Sequence, residues 1–250
     1  MSISVSFNEN IFSLDKLNLP TRYYYFHEQN QNFLKFLSIG EGVFPKDKIR
    51  TDIKLQNSDV VFTTESATKV YSSTKEFGVN KIHINLNNSN LEYINDELIL
   101  YKDAKFLQLL KIKADAESTF FYGDILSHGR SYENFDFSLM SVKNSFFLND
   151  TLEYLEKYQV EGDELKSYIA RRNSTKRIFS KIYVKTNDNE HFLDTLAETK
   201  IHCFSYTSNK KMLIGVVSDS TMSNLKKQLL NIWKIYRIYL NKKEFNLGKQ

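Results

Sequence analysis

A weak internal repeat constrains the fold of this 250-residue chain more than any other feature. Residues 53–62 align with residues 84–93 at a separation of 31 positions, and a poorer third copy begins 28 positions later, at Ile112. Separations of about 20 to 50 residues are typical of stacked supersecondary units. The repeat therefore favours stacked or helical β-sheet layers, although unrelated strand–turn–strand units can also resemble one another.

The residues around the repeat favour a mainly β fold for positions 1–150. Segments such as 33–37, 82–86 and 106–112 are short and mostly alternate apolar with polar side chains, which is the pattern of half-buried strands. The chain has only 8 Gly and 2 Pro but 19 Phe and 15 Tyr, so side chains that favour strands dominate. Asparagine-rich turns such as 87–90 take the place of glycine turns. We predict a β-rich, repeat-like region over 1–150.

The last hundred residues show helical spacing mixed with strands, which predicts an α+β portion. Apolar residues at helical spacing open the segment at Leu152, Leu155, Tyr158 and Val160, and continue at 164–169. Three strands are predicted, over 178–185, 201–206 and 212–217. A long helix is predicted to begin at Asp219 or Ser220, with a core-facing stripe of Met222, Leu225, Leu229, Ile232, Tyr236 and Tyr239 or Leu240. We expect residues 151–250 to pack on the β-rich region as an α+β subdomain of one compact unit.

Composition and motifs exclude several classes of function. The 34 Lys and Arg and the 30 Asp and Glu are interspersed, which argues against a nucleic-acid surface. The single cysteine, Cys203, cannot form an internal disulfide, and the chain has no apolar run typical of a signal peptide or a membrane span, so we expect a cytoplasmic protein without a membrane partner. The common hydrolase, nucleotide-binding and zinc-protease motifs are missing from the sequence, and the five histidines are scattered.

Acidic residues mark three segments that do not look like plain scaffolding. Each copy of the repeat carries an acid twelve positions after its start, at Glu65, Asp96 and Asp124. These acids lie in or near segments 63–71, 91–94 and 122–130, which mix polar and charged residues with apolar runs. From the residues alone, buried structural pairs and a polar passage are equally good interpretations. An aspartate in an apolar strand needs a partner to stay charged, so we expect Asp124 to pair with Arg130.

The same segments resemble the UreD family of urease accessory proteins, called UreH in some bacteria. The family pattern Thr-Thr/Ser-Gln-small-Ala-Ser/Thr-Lys-Val/Ile-Tyr is similar to residues 63–71, its Leu-Glu-Tyr/Trp to residues 91–93, and its Asp-Ile/Leu-Leu-x-x-Gly-Arg to residues 124–130. A C-terminal Leu-x-Gly strand followed by a helix with Trp and Arg is similar to 213–215, Trp233 and Arg237. The resemblance covers about residues 33–240.

The sequence departs from the family pattern at three places. The family's Gly-Gly-x-x-x-Gly-Asp loop appears here as residues 41–47, with Glu41 at the first glycine and Lys46 at the last. The usual Gly-Glu-x-Phe after the arginine is reduced to residues 134–137, which keep only the phenylalanine, and Glu65 replaces the usual glutamine. These departures bear on the geometry of any metal path rather than on membership of the family.

The resemblance implies a urease maturation chaperone without enzymatic activity. It implies that the chain binds apo-urease and UreF, and UreG through UreF, and that Ni²⁺ passes through its interior without a permanently bound cofactor. A transit path suits weak oxygen ligands, since a tight histidine or cysteine site would retain nickel. The expected carboxylates of the metal path are Asp47, Glu65, Asp96 and Asp124. The expected lining residues of the polar passage are Thr68, Lys69, Tyr71, Glu92 and Arg130.

Two further expectations concern the passage and the surface. We expect Glu65, Asp124 and Thr68 to line one internal passage, with Lys69 balancing the carboxylate charge. The 34 Phe and Tyr side chains exceed what a β domain of this size buries, so we expect an apolar patch for a partner and poor solubility of the isolated chain. The alternatives from the sequence are a carbohydrate-active enzyme on a β-solenoid, which would use two of these carboxylates, and a metal-free interaction scaffold.

Overall fold

The computed structural model describes residues 1–28, 30–38 and 42–249, and within these ranges the chain forms sixteen strands and three helices. The strands are β1 (Ser2–Asn8), β2 (Ile11–Asn18), β3 (Thr21–Glu28), β4 (Gln31–Ser38), β5 (Lys48–Gln56), β6 (Asp59–Thr64), β7 (Thr68–Val70), β8 (Gly78–Asn87), β9 (Asn90–Leu100), β10 (Lys105–Ala114), β11 (Thr119–Ser127), β12 (Leu139–Leu148), β13 (Thr151–Val160), β14 (Ile178–Lys185), β15 (Phe204–Tyr206) and β16 (Leu213–Asp219). The helices are α1 (Gly162–Arg171), α2 (Asn189–Glu198) and α3 (Met222–Tyr239).

The strands form two sheets between which the chain alternates. Sheet A has the order β13-β12-β10-β8-β5-β1-β2, and sheet B has the order β15-β16-β14-β11-β9-β6-β4-β3, with β7 beside β9. From β5 to β12 the chain passes repeatedly from one sheet to the other, and the neighbouring strands within each sheet are parallel. The fold is therefore mainly β and β-solenoid-like, with a C-terminal portion that carries a long helix, as the sequence predicted.

The strand register confirms the internal repeat. In sheet A, Ile53 lies opposite Ile84, and Ile84 lies opposite Ile112. These are the residues that the sequence alignment superimposes, at separations of 31 and 28 positions. The turns also repeat, because the backbone N–H of Ser58 donates to the Ser89 hydroxyl at 3.1 Å and the N–H of Ser89 donates to the Ser118 hydroxyl at 3.1 Å.

Each face of sheet B buries a separate apolar layer. The face toward sheet A packs aromatic residues such as Phe36, Phe62 and Tyr93 against aliphatic residues of sheet A. The opposite face is covered by α2 and α3, with Leu229 and Trp233 of α3 in this second layer. Because successive strand residues point to opposite faces, each polar residue of sheet B lies in either the inter-sheet layer or the helix layer.

The predicted first helical stretch of the C-terminal portion is wrong. Residues 151–160 form strand β13, which pairs antiparallel with β12 at the edge of sheet A. The inward positions are partly buried and include Tyr154, Glu156 and Tyr158, whereas Leu152 and Leu155 are exposed. Glu156 is charged although its position faces inward, so the sequence of β13 does not alternate between apolar and polar residues. Leu152, Leu155 and Tyr158 instead match helical spacing. The stretch at 164–169 is helical, within α1.

The remaining differences concern element boundaries and elements that the sequence analysis missed. Helix α3 starts at Met222 with Thr221 as its N-cap, because Asp219 still belongs to β16. Strand β15 covers only 204–206 of the predicted 201–206. Helix α2 and the first three strands were not predicted. β13 extends sheet A and β14–β16 extend sheet B, so the C-terminal portion continues both sheets, and the boundary at residue 150 stays a prediction.

Candidate functional site

A cavity of about 370 Å³ lies between the two sheets, beside β11, β12, β13 and β14. We call it the large cavity. Most of its wall is apolar, and α1 contributes Leu165 and Tyr168 to it. Its polar lining residues are Thr68, Asn80, Asn95, Asp96, Gln108, Asp124, Asn144, Tyr158, Lys181 and Tyr183. An apolar cavity with a few convergent polar groups is the usual form of a binding site.

Asp124 is the carboxylate at the centre of this polar lining. The side-chain amide of Asn95 donates to its Oδ1 at 2.6 Å, and that of Gln108 donates to its Oδ2 at 2.9 Å. Burial raises the pKa of Asp124 to about 6, and hydrogen bonds from Tyr122, Gln108 and Asn95 hold that rise in check. Asp124 is thus a partly buried carboxylate held by neutral donors, without a direct ion pair among the described residues.

A second cavity, of about 150 Å³, adjoins the first, and we call it the small cavity. Its wall includes Gly42, Ser66 and Lys69. Four residues line both cavities: Thr68, Asn80, Ile82 and Asn95. The two cavities therefore share a wall that is mostly made of short polar side chains.

Besides Asp124, three of the predicted site residues line at least one of these cavities: Thr68, Lys69 and Asp96. Thr68 lines both cavities, and Lys69 lines the small one although its side chain is exposed. Asp96 borders the large cavity, but its carboxylate pairs with Lys226 at 3.3 Å and Lys249 at 2.9 Å. The charge of Asp96 is therefore already balanced from α3 and the C-terminal segment.

Three other predicted residues are not among those that line either cavity. Glu65 pairs with Lys35 at 3.1 Å, and 44% of its side chain is exposed, so the expected common lining by Glu65 and Asp124 is not formed. Asp47 accepts the backbone N–H of Phe44 at 3.0 Å, within its own loop. Tyr71 stacks on the Phe44 ring with centroids 4.5 Å apart. Equal spacing in the repeat did not place the acids on one face because Glu65 follows the last residue of β6, and because the β9–β11 register shifts between Gly123 and Ile125.

Glu92 lies in the helix layer of sheet B, away from both cavities. Its carboxylate accepts the Trp233 indole N–H at 2.6 Å and a guanidinium N–H of Arg237 at 2.6 Å, and pairs with Lys242 at 2.9 Å. The side chain of Glu92 is 0% exposed and that of Arg237 is 4% exposed. Glu92 therefore fastens α3 and the segment after it to the sheet.

The predicted pair of Asp124 and Arg130 is wrong. Arg130 instead pairs with Glu133 at 2.6 Å, lies over the Tyr101 ring at 4.4 Å and exposes 60% of its side chain. Asp124 is in mid-strand on the inter-sheet face, whereas Arg130 follows the end of β11. Amide donors from neighbouring strands, which sequence spacing does not reveal, replace the expected arginine.

The altered glycine loop keeps the backbone shape that glycine favours. Gly42 has φ +146°, and a Cβ there would overlap the carbonyl oxygen of Lys69. Lys46, at the position of the family's last glycine, has φ +73°, which is unusual for a lysine. Glu41, at the position of the first glycine, lies outside the described residues. The loop therefore forms over 42–47 despite the substitution at its end.

Sequence reasoning missed the amides and the ion pair of the large cavity. Gln108 in β10 and Asn144 in β12 are buried. The residues two positions before and after each of them, on the same face of the strand, are apolar. A polar residue at the inward phase of an alternating strand is a signal that could have identified both. Glu156 and Lys181 were missed because Glu156 lies in the strand that was predicted as a helix, and because nothing local links the two.

The described part of the chain offers no preformed metal site of the usual kind. Among residues 1–28, 30–38 and 42–249, no group of three or more His, Cys, Asp or Glu side chains is placed to hold an ion. The described helices also include none that is long and apolar enough to cross a membrane. The fold and the site together define a class of protein: a β-solenoid-like scaffold with a helical cover and an internal, weakly polar cavity.

Comparison with known proteins gives the family. A family profile described as "UreD urease accessory protein" matches residues 22–247. A protein of Aliarcobacter butzleri (strain RM4018) named "Urease accessory protein UreD" is 59% identical over 251 residues, which cover 100% of both chains. A protein of the same name from Bacillus sp. (strain TB-90) is 28% identical over 173 residues, covering 68% of this chain and 64% of that protein. The chain belongs to the UreD family of urease accessory proteins, and its role is in urease maturation.

Proposed function

We propose that this protein is a non-catalytic chaperone that passes Ni²⁺ through its two adjoining cavities during urease maturation. It works in the cytoplasm on apo-urease, together with UreF and, through UreF, with UreG. The nickel ion is cargo and has no permanent site. Membership of the UreD family supports the role in maturation, and the interior of the molecule supports the route.

The observation that carries the proposal is the shared wall of the cavities. Thr68, Asn80 and Asn95 line both cavities, and Asn95 also donates to Asp124. An ion in the small cavity would therefore reach the Asp124 carboxylate after passing only short polar side chains and Ile82. The relevant oxygen atoms belong to one aspartate, one threonine and side-chain amides, which bind divalent nickel more weakly than histidine or cysteine clusters do.

The surface offers a place for protein partners. Six of the exposed large apolar side chains lie on β2, β3 and the turn that joins them: Ile11, Leu14, Leu17, Leu19, Tyr24 and Phe26. Strands β2 and β3 are also the edges of sheets A and B, with backbone groups free of a further strand among the described residues. Exposed apolar groups and open edges are typical of protein-binding surfaces. We expect this end to associate with a partner, and the isolated chain to be poorly soluble.

The experiment is a reconstituted activation of apo-urease with UreF, UreG, Ni²⁺ and this protein. Thr68→Trp places an indole in the wall that both cavities share. We expect urease activation to fall by about tenfold or more while co-purification with UreF and apo-urease is unchanged, since a tenfold change needs only about 1.4 kcal/mol of added barrier. Thr74→Trp, at an exposed position, is the matched control. Full activation by Thr68→Trp would refute the route and leave a metal-free scaffold as the function.

A further inference from the structure

Asn144 lines the large cavity, and its side-chain oxygen atom has no hydrogen-bond partner among the described residues. The residue is 2% exposed and lines that cavity. Its amide nitrogen donates to Glu156 Oε2 at 3.1 Å and to the Tyr183 hydroxyl at 2.9 Å, whereas its Oδ1 makes no hydrogen bond. The orientation of the amide is fixed, because an ionised carboxylate can only accept and must face the NH₂ group. A buried acceptor without a donor is uncommon, and this oxygen atom is free to accept a ligand.

Glu156 lies next to this amide and is the second carboxylate of the region. Its Oε2 also accepts the Tyr183 hydroxyl at 2.6 Å, and its Oε1 forms an ion pair with Lys181. The side chains of Glu156 and Lys181 are 17% and 31% exposed. Glu156 is therefore firmly held by Tyr183 and Asn144, while the ammonium group of Lys181 retains access to solvent.

Lys181 lies between two carboxylates but satisfies only one of them. In the register of β11 and β14 it is directly opposite Asp124, and both residues line the large cavity. Its ammonium group turns to Glu156 and to Tyr158, whose hydroxyl is 3.3 Å away and whose ring centroid is 4.4 Å away. Glu156 does not itself line the cavity, but it contacts the lining residues Asn144, Tyr183 and Lys181. Two acids thus lie near one base at this wall, so a cation that enters improves the local charge balance.

We infer that Glu156 and Asn144 form an exchange site for a divalent cation, which displaces the Lys181 ammonium group from Glu156 Oε1. The cation gains Glu156 and the unpartnered Asn144 oxygen as ligands, with Asp124 on the facing sheet as the next carboxylate. Lys181 turns toward solvent, and it returns when the cation leaves. The inference rests on the proposed function only for the identity of the cation as Ni²⁺.

The role of Lys181 in this exchange is to keep the site weak. A resident ammonium group competes with every incoming cation, as a proton does at a metal ligand. Such competition suits an ion in transit, since a site without the lysine would hold two acids with no counter-ion and would retain the metal. Lys69, the residue expected from the sequence to balance the charge, is exposed and is among the lining residues of the small cavity but not of the large one.

The test measures Ni²⁺ binding to the full chain by equilibrium dialysis. Lys181→Met removes the charge but keeps the length of the side chain, and we expect it to bind Ni²⁺ about tenfold more tightly or better than the parent. In the double variant Lys181→Met with Glu156→Gln, we expect this gain in Ni²⁺ affinity to be lost. Lys113→Met, which breaks an exposed pair with Asp150, is the control and should bind as the parent does. Equal affinities of Lys181→Met and the parent would overturn the inference.

A second measurement uses the unmodified protein, so the test does not depend on the folding of a variant. Amine labelling followed by mass spectrometry should show Lys181 several-fold more reactive in saturating Ni²⁺, while the reactivity of Lys113 is constant. If the reactivity of Lys181 toward the amine label is the same with and without Ni²⁺, the inference is also overturned. If Lys181→Met binds tightly but Thr68→Trp activates urease fully, the exchange site stands and the proposed route fails. If affinities are equal but Thr68→Trp is inactive, the route stands and the exchange site fails.

Discussion

Glu92 and Asp124 are carboxylates on neighbouring strands of sheet B, but they lie on opposite faces and their surroundings differ in kind. Glu92 is fully buried, and Asp124 is partly buried. Glu92 faces the helix layer, where Arg237 and Lys242 balance its charge and Trp233 donates a further hydrogen bond. Asp124 faces sheet A and is held by the side-chain amides of Asn95 and Gln108. The first carboxylate is locked by cations, while the second stays available to one.

Under the proposed function, this difference separates a structural acid, Glu92, from a candidate metal ligand, Asp124, without reference to sequence motifs. Replacing a neutral donor to Asp124 by a cation costs little free energy. Displacing the buried Arg237 from Glu92 leaves an uncompensated charge. On the proposed route, an incoming metal ion would therefore reach Asp124 and would not compete at Glu92. Both residues lie in segments that resemble the family, so resemblance alone did not distinguish them.

The largest effect is expected for Glu92→Gln. The substitution removes the negative charge that Arg237 and Lys242 share. The side chains of these two residues are only 4% and 13% exposed. Breaking a buried pair of this kind typically costs about 3 to 5 kcal/mol of unfolding free energy. Urea unfolding should show that loss. Asp59→Asn, which removes the half-exposed partner of Lys242, is the control and should cost less than about 1 kcal/mol. A similar small cost for Glu92→Gln would remove its structural role.

Asp124→Asn should act in the opposite direction at neutral pH. The pKa of Asp124 rises from 3.8 to about 6 on folding, so the protonated carboxyl stabilises the fold; this contribution is complete below about pH 4 and is lost as the pH rises through 6. At pH 7.5 the ionised group therefore costs at most about 3 kcal/mol, which the asparagine avoids. Unfolding free energies from pH 4 to 8 should show a falling profile for the parent and a flatter one for Asp124→Asn. Two parallel profiles would contradict the contrast.

A smaller effect is expected when one neutral donor to Asp124 is removed. Gln108→Met takes away the amide that donates to Oδ2 at 2.9 Å but keeps the shape of the side chain. Hydrogen bonds to charged groups contribute about 1.5 to 3 kcal/mol, so the loss at pH 8 should reach that range, and it should shrink at pH 4, where Asp124 is protonated. Gln159→Met, at an exposed position of β13, is the control. A pH-independent loss would show that Gln108 acts by packing alone.

The sequence predicted the stacked strands and some of the residues that line the cavities, such as Asp124 and Thr68, but not the residues that hold Asp124. Ile53, Ile84 and Ile112 are apolar at equivalent inward positions, so their repeat reveals both the stacking and the register. The large cavity is instead lined by polar residues at inward positions, such as Gln108 and Asn144, and beside it Glu156 broke the alternation of β13. The partners of Asp124 come from separate strands, and the expected arginine was wrong because spacing along the chain does not show which face a side chain occupies.

The most direct test of the account is to locate nickel inside the protein. Crystals soaked in Ni²⁺ and measured at the nickel absorption edge should give an anomalous peak in the large cavity, within ligand distance of Asp124 or Glu156. The peak should disappear in the double variant Asp124→Asn with Glu156→Gln, while Glu65→Gln, at the surface, should keep it. Peaks confined to exposed groups such as His27, with an unchanged cavity, would contradict the claim that the interior of the solenoid carries the ion.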